Sequence, residues 1–392
     1  MIGLVGGAHM ISHFSQLLLA PLFPWLKDDF HASYAELGLL MSIFFVVSCA
    51  VQMASGFVVD KFGPRPILFG GLALLGLAAL GFSISTSYAM LAAFSVLAGI
   101  GNGVFHPVDY TLLNRKISAP RLGHAYSVHG ITGSLGWALA PAMLVPLTLA
   151  FGWRTALVCA GALAFVVLAV LWCYRDRLAL PVLAATKSDA PQLEGGSMGF
   201  LRIPAVWMCF GFFFCFAMAL SVVQAFAPEA ARQLHNVPLD LVALCLSVYM
   251  LCSAGGMVLG GFLAADPARC ERVIGVGFGF AASIALALGF ADVPAWSVPV
   301  LFGLMGFAAG TGGPSRDLIV KRAAPANATG RVYGVVYSGL DIGQAISPLL
   351  FGVLMDHQQY SAVFMGLAAV QGVLIASAFN VRKVRRTALA SV

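Results

Sequence analysis

Residues 99–126 read GIGNGVFHPVDYTLLNRKISAPRLGHAY, and 207 positions further on the chain reads GFAAGTGGPSRDLIVKRAAPANATGRVY (306–333). On that offset Gly99 falls on Gly306, Gly103 on Gly310, Pro107 on Pro314, Arg115 on Arg322, Gly123 on Gly330 and Tyr126 on Tyr333. The register extends outward, with Pro21 on Pro228, Arg65 on Arg272, Gly136 on Gly343 and Pro141 on Pro348. With 43 glycines in the chain, isolated glycine matches decide little. Prolines, a tyrosine and basic residues keeping one register decide for an internal repeat. The chain consists of two similar halves.

Composition gives the solvent of each half. Hydrophobic residues make up 60% of the chain and charged residues 10%, with a mean hydropathy of +0.91; soluble domains carry about 25% charged residues. A membrane-crossing helix needs about 20 mostly apolar residues. Twelve such stretches occur, at about 4–26, 37–59, 67–86, 89–112, 124–148, 155–174, 200–227, 240–265, 273–291, 297–320, 332–355 and 362–381. Backbone groups in lipid must be satisfied within the segment, so these stretches are helices, and the alternation of a membrane barrel is absent. The expected fold is an all-α membrane protein of two pseudo-symmetric six-helix bundles. The first stretch has no basic segment before it and is too long for a signal sequence, so it reads as a mature helix. Seven of the eight cysteines fall inside spans and none forms a C-x-x-C pair, which reads as apolar filling.

Positive charge gives the orientation. With the N-terminus in the cytoplasm, the even-numbered turns and the C-terminal tail hold 17 of the 22 Lys and Arg, and the opposite side holds only Lys27, Arg154 and Arg232. That bias predicts cytoplasmic termini in a bacterial-type inner membrane, and it assigns the net charge of +6 to topology, with no nucleic-acid partner. The longest polar segment lies between spans 6 and 7. The organisation read from it is an N-terminal bundle (1–174), a cytoplasmic linker (175–198), a C-terminal bundle (199–381) and a basic tail (382–392).

The turn after span 2 reads Gly56-Phe-Val-Val-Asp60-Lys61-Phe-Gly63-Pro-Arg65. It resembles the G-x-x-x-D-R-x-G-R signature of the major facilitator superfamily, with Lys61 in place of the first arginine. Gly56 is expected to allow close helix contact, and Asp60 to cap a neighbouring helix and hold the basic residues. The turn after span 8, Gly261 to Arg269, is the same signature with one residue inserted. Gly130, Gly133, Gly136 and Pro141 in span 5 resemble the glycine-rich signature of antiporters, with Ala140-Pro141 where those have Gly-Pro. Phe105-His106-Pro107 and His9 resemble the fosmidomycin-resistance branch, whose members commonly carry an acid where His13 stands. The resemblance implies a secondary transporter in which spans 1, 4, 7 and 10 line a central cavity.

Ionisable groups within spans are costly and mark pathways or proton relays. His9 and His13 share one helix face with Ser12 and Gln16 nearby, a polar strip suited to binding substrate or a proton, or to an interhelical hydrogen bond. A metal or haem site can also use that pair, but no second ligand motif accompanies it, so neither metal nor cofactor is assigned. His106 precedes Pro107. Asp109 falls on Arg316 in the repeat, which suggests a gate pair between the halves; pairing of Arg316 with Asp317 or Asp341 is the local alternative. Asp341 in span 11, with Gln344 nearby, is the favoured proton carrier, with His13 and His106 as rivals. Gln224, Tyr249 and Tyr337 are candidates for hydrogen bonds to substrate.

The expected function is transport of a small organic solute by alternating access of two halves, with proton-coupled efflux favoured over import of a small organic anion or metal-chelate. Outside transport, a haem-bearing or sensory membrane protein remains open. Enzyme signatures such as H-E-x-x-H, G-x-S-x-G and a phosphate-cradling loop are absent from the sequence. The partners expected are substrate and membrane lipid, and the chain is expected to act as a monomer.

Overall fold

The computed structural model describes residues 1–180, 204–263, 269–316 and 329–390. Among them are twelve helical spans: Ile2–Phe30, Tyr34–Gly56, Pro64–Ser83, Tyr88–Lys116, Val128–Phe151, Trp153–Cys173, Val206–Ala225, Leu239–Leu263, Cys270–Phe290, Ala295–Arg316, Val336–Asp356 and Tyr360–Asn380, called spans 1 to 12 below. The described residues contain no strand. The chain divides into two compact units, Met1–Thr186 and Lys187–Val392, each with six spans. Most of the predicted linker, residues 264–268 of the second signature turn and the side chain of Asp60 lie outside the described residues.

Prolines set the interruptions. Span 1 runs as a helix over Ile2–Gln16, a 3-10 turn over Ala20–Leu22 and a second helix over Phe23–Phe30. Pro21 and Pro24 stand in the first turns of the last two segments, where a missing N–H costs nothing. The second unit repeats the device: the helix Pro204–Ala225 is followed by a short one, Ala227–His235, with Pro228 in its first turn. Both short helices end on a left-handed residue, His31 and Asn236, each at φ 50°.

Span 4 breaks between the helices Tyr88–Asn102 and Phe105–Lys116. Pro107 has no N–H to offer the Gly103 carbonyl one turn back. That carbonyl instead receives the Ser55 hydroxyl of span 2 at 3.4 Å, a neighbouring side chain satisfying backbone that proline frees. In span 10 the helix Val298–Thr311 stops at Gly312, two residues before Pro314.

The repeated glycines are where helices touch backbone to backbone. A Cβ on Gly99 or Gly103 would strike the carbonyls of Phe44 or Ser48 in span 2, and one on Gly306 or Gly310 those of Tyr249 or Ser253 in span 8. Gly136 meets the Met10 carbonyl in span 1, and its repeat mate Gly343 meets that of Phe214 in span 7. In lipid, apolar surface alone gives helices little reason to associate, so close backbone approach at small residues holds them. The register of 207 is therefore a register of helix contacts.

In the signature turn, the helix Tyr34–Phe62 ends at Gly63, whose φ of 79° suits glycine, and Pro64 opens the next helix. Gly56 departs from expectation. Among the described residues no atom lies within 4 Å of where its Cβ would stand, so it makes no close contact with any of them.

Candidate functional site: a histidine cluster in the first unit

Spans 1, 4 and 5 of the first unit bring four histidines around one carboxylate. Asp109 is fully buried, and its Oδ2 lies 3.1 Å from His9 Nδ1 and 3.9 Å from His129 Nδ1. The His9 ring stacks on His129 with centroids 3.5 Å apart, and stands 4.3 Å from His13 and 5.5 Å from His106. His13 also packs on Trp137 at 4.3 Å. His106 Nδ1 is held at 2.8 Å by Gln52 Oε1 of span 2.

Around this cluster runs a second polar chain. Ser12 donates to Asn102 Oδ1 at 2.7 Å, Gln16 reaches the same oxygen at 3.5 Å, and Asn102 donates to Ser48 at 2.8 Å. Trp137 Nε1 closes it on Gln16 Oε1 at 2.9 Å. Gly133 makes room for the rings, because a Cβ there would fall on His13 Nδ1 and Cε1 and close to His9 Nε2.

Several of these atoms have no hydrogen-bond partner among the described residues: Asp109 Oδ1, His13 Nδ1 and both ring nitrogens of His129. An unsatisfied buried polar group costs about 1–3 kcal/mol. A web kept only for packing would be better served by apolar side chains. The orphaned atoms gather around the Asp109 carboxylate and the His9, His13 and His129 rings.

The second unit carries the same frame with different chemistry. On the 207 offset, His9, His13, His106 and His129 become Phe216, Leu220, Gly313 and Val336, while Asp109 becomes Arg316. The positions still meet: the Arg316 guanidinium lies 4.5 Å from the Phe216 ring centre and 5.1 Å from that of Phe213. Gln344, at the place of Trp137, donates to Gln224 at 3.4 Å, and the buried Gln224 Nε2 and Gln344 Oε1 have no hydrogen-bond partner among the described residues. Tyr337 packs on Phe213, Tyr249 is buried, and Asp341 is half-buried.

Such a pair of six-span units, matched helix for helix, is a transporter architecture. The sequence profile described as the Major Facilitator Superfamily matches residues 5–303 and 272–391. The chain belongs to the major facilitator superfamily. It is a membrane transporter of small solutes and not an enzyme. Among superfamily relatives, the probable sulfoacetate transporter SauU of Cupriavidus necator is 22% identical over 95% of this chain and 91% of its own. The fosmidomycin resistance protein of Escherichia coli is 27% identical over 43% of this chain and 42% of its own. The membrane sensor protein UhpC of the same organism is 28% identical over 59% and 55%. A bacterial homolog of the human lysosomal transporter Spinster, in an inward-facing and occupied conformation, superposes with a TM-score of 0.80 over 98% of this chain and 96% of that one, at 14% identity. That likeness shows the superfamily fold.

Of the residues singled out in the sequence, His9, His13, His106 and Asp109 come together in the first unit, with Gln16 in the adjoining chain. Arg316, Gln224 and Asp341 lie in the second unit. His129, Gln52, Asn102 and Trp137 were not anticipated. The signal for the span 5 contribution was present: His129, Gly133, Gly136 and Trp137 recur at spacings of three and four, the stripe of one helix face.

Proposed function

We propose that the chain is a proton-coupled exporter of a small organic solute, with the coupling proton carried by the His9–Asp109 pair. The observation that supports this is a fully buried carboxylate bonded to an imidazole inside a membrane span. Such a pair can take up one proton, as an imidazolium beside a carboxylate, and release it again. Export is the direction favoured by the likeness to the fosmidomycin resistance protein and by the glycine-rich face of span 5.

The test is transport in proteoliposomes under an imposed pH gradient of either polarity, with fosmidomycin and sulfoacetate as first solutes. Proton antiport is expected to accumulate solute on the acidic side. Accumulation on the alkaline side would overturn export and favour the second reading, import of a small organic anion. That reading is supported by the likeness to the sulfoacetate transporter and by Arg316, whose cation sits over two phenylalanine rings.

The chain further reads as having both termini on the cytoplasmic side of a bacterial inner membrane, supported by the 17-to-3 split of basic residues. Fusions at Val392 in a bacterial host test the sidedness. A cytoplasm-active fluorescent protein is expected to light up, and a periplasm-active phosphatase to stay silent; the reverse pattern would invert the topology.

A further inference from the structure

We infer that His9, His13 and His106 form a binding site for a divalent transition-metal ion of the imidazole-preferring class, such as Zn²⁺, Co²⁺, Ni²⁺ or Cu²⁺. One ring nitrogen from each of the three lies within 4.8 Å of the others. Tetrahedral nitrogens at about 2.1 Å from a metal stand about 3.4 Å apart, so modest ring rotation closes the set.

What distinguishes this cluster from packed imidazoles is how the other nitrogens are occupied. His9 Nδ1 is committed to Asp109 Oδ2 at 3.1 Å, and His106 Nδ1 to Gln52 Oε1 at 2.8 Å. Each bond fixes its ring and leaves Nε2 as the free donor. Metal-binding histidines characteristically give their second nitrogen to a carboxylate or another acceptor, which fixes the tautomer and strengthens the ligand. His13 contributes a ring whose buried Nδ1 meets the hydrogen-bond geometry of no partner among the described residues. His9 and His13 come from one helix face at i and i+4, and the break before Pro107 brings span 4, with His106, against them. Among the described residues no thiolate joins the group and one carboxylate, Asp109, stands beside it, which selects nitrogen-preferring ions over calcium and magnesium, which take oxygen ligands. Three protein nitrogens leave a coordination position open for water, as suits an ion that must be bound and released.

This goes beyond the proton reading, since an imidazolium at His9 needs the same Nε2 that would bind the ion. Untagged full-length protein in detergent, stripped with chelator, is dialysed against Zn²⁺ and the bound metal counted. One ion per chain is expected. His13→Gln and His106→Gln are each expected to weaken binding more than tenfold, and Asp109→Asn about 10- to 100-fold, as loss of an orienting partner does. Pulsed electron paramagnetic resonance of the Cu²⁺-loaded wild type then counts imidazole ligands without any variant, and three are expected. Sub-stoichiometric binding, undiminished binding in the His13→Gln/His106→Gln double variant, or fewer than three coordinated imidazoles would overturn the site. The dialysis uses no proton gradient, and the solute assay runs in chelator-washed vesicles. Failure of one leaves the other standing.

Discussion

Asp109→Asn is expected to reduce gradient-driven solute accumulation to the level of protein-free vesicles while leaving solute-for-solute exchange intact. Asparagine has nearly the shape of aspartate and still offers an oxygen to His9 Nδ1, so the buried site keeps its packing and its hydrogen bond. What it lacks is a second protonation state. Exchange requires only that the loaded carrier reorient, whereas accumulation requires a proton to be taken up on one side and released on the other. The split between the two assays therefore separates coupling from folding and from substrate binding. Asp109→Glu restores a carboxylate on a longer stem and is expected to recover part of the accumulation. Asp341→Asn in the second unit is the necessary companion, because Asp341 is the acid that hydropathy alone favours. If Asp341→Asn abolishes accumulation and Asp109→Asn does not, the proton site lies in the second unit and the histidine cluster has another purpose.

Why hydropathy pointed to Asp341 is instructive. Its position near the middle of span 11 is a property of local sequence, whereas the surroundings of Asp109 are built from partners 100 residues earlier and 20 residues later, His9 and His129. The twelve spans, their breaks and their close contacts follow from composition, prolines and glycines, each acting within a helical turn or through the repeat, and so could be read before the fold was known. The repeat also gave the frame of the site, since positions that meet in one unit meet in the other: His9 with Asp109, Phe216 with Arg316. It could not give the chemistry, because the halves differ at those very positions. Asp109 and Arg316 hold equivalent places in the repeat, and within the first unit the carboxylate is bonded to His9. A third metal ligand was likewise invisible to motif spacing. His106 lies 93 positions beyond His13 and joins it only through the packing of span 4 on span 1.

The three glycines of span 5 are expected to give three different results, and the largest is loss of fold at Gly136. Gly136→Ala would drive a methyl into the Met10 carbonyl of span 1, with His13 Cβ and the Phe14 amide close behind. Backbone cannot rotate out of the way as a side-chain tip can, so the two helices must separate along a contact on which lipid-embedded helices depend. Overpacking of this kind costs about 1–3 kcal/mol, and Gly136→Val costs more. A melting temperature lowered by several degrees for alanine, and failure to recover folded protein for valine, are expected in thermal unfolding monitored by size-exclusion chromatography. Gly130→Ala on the same helix meets nothing within 4 Å and removes a flexible glycine, so it is expected to leave the melting temperature unchanged or slightly raised. Gly133→Ala lies between them. Its methyl strikes the rings of His13 and His9, which can turn aside, so the protein is expected to fold while Zn²⁺ binding and gradient-driven accumulation both fall. Equal loss of stability at all three positions would mean that span 5 needs its glycines for helix packing alone; the graded outcome assigns Gly136 to the fold and Gly133 to the site.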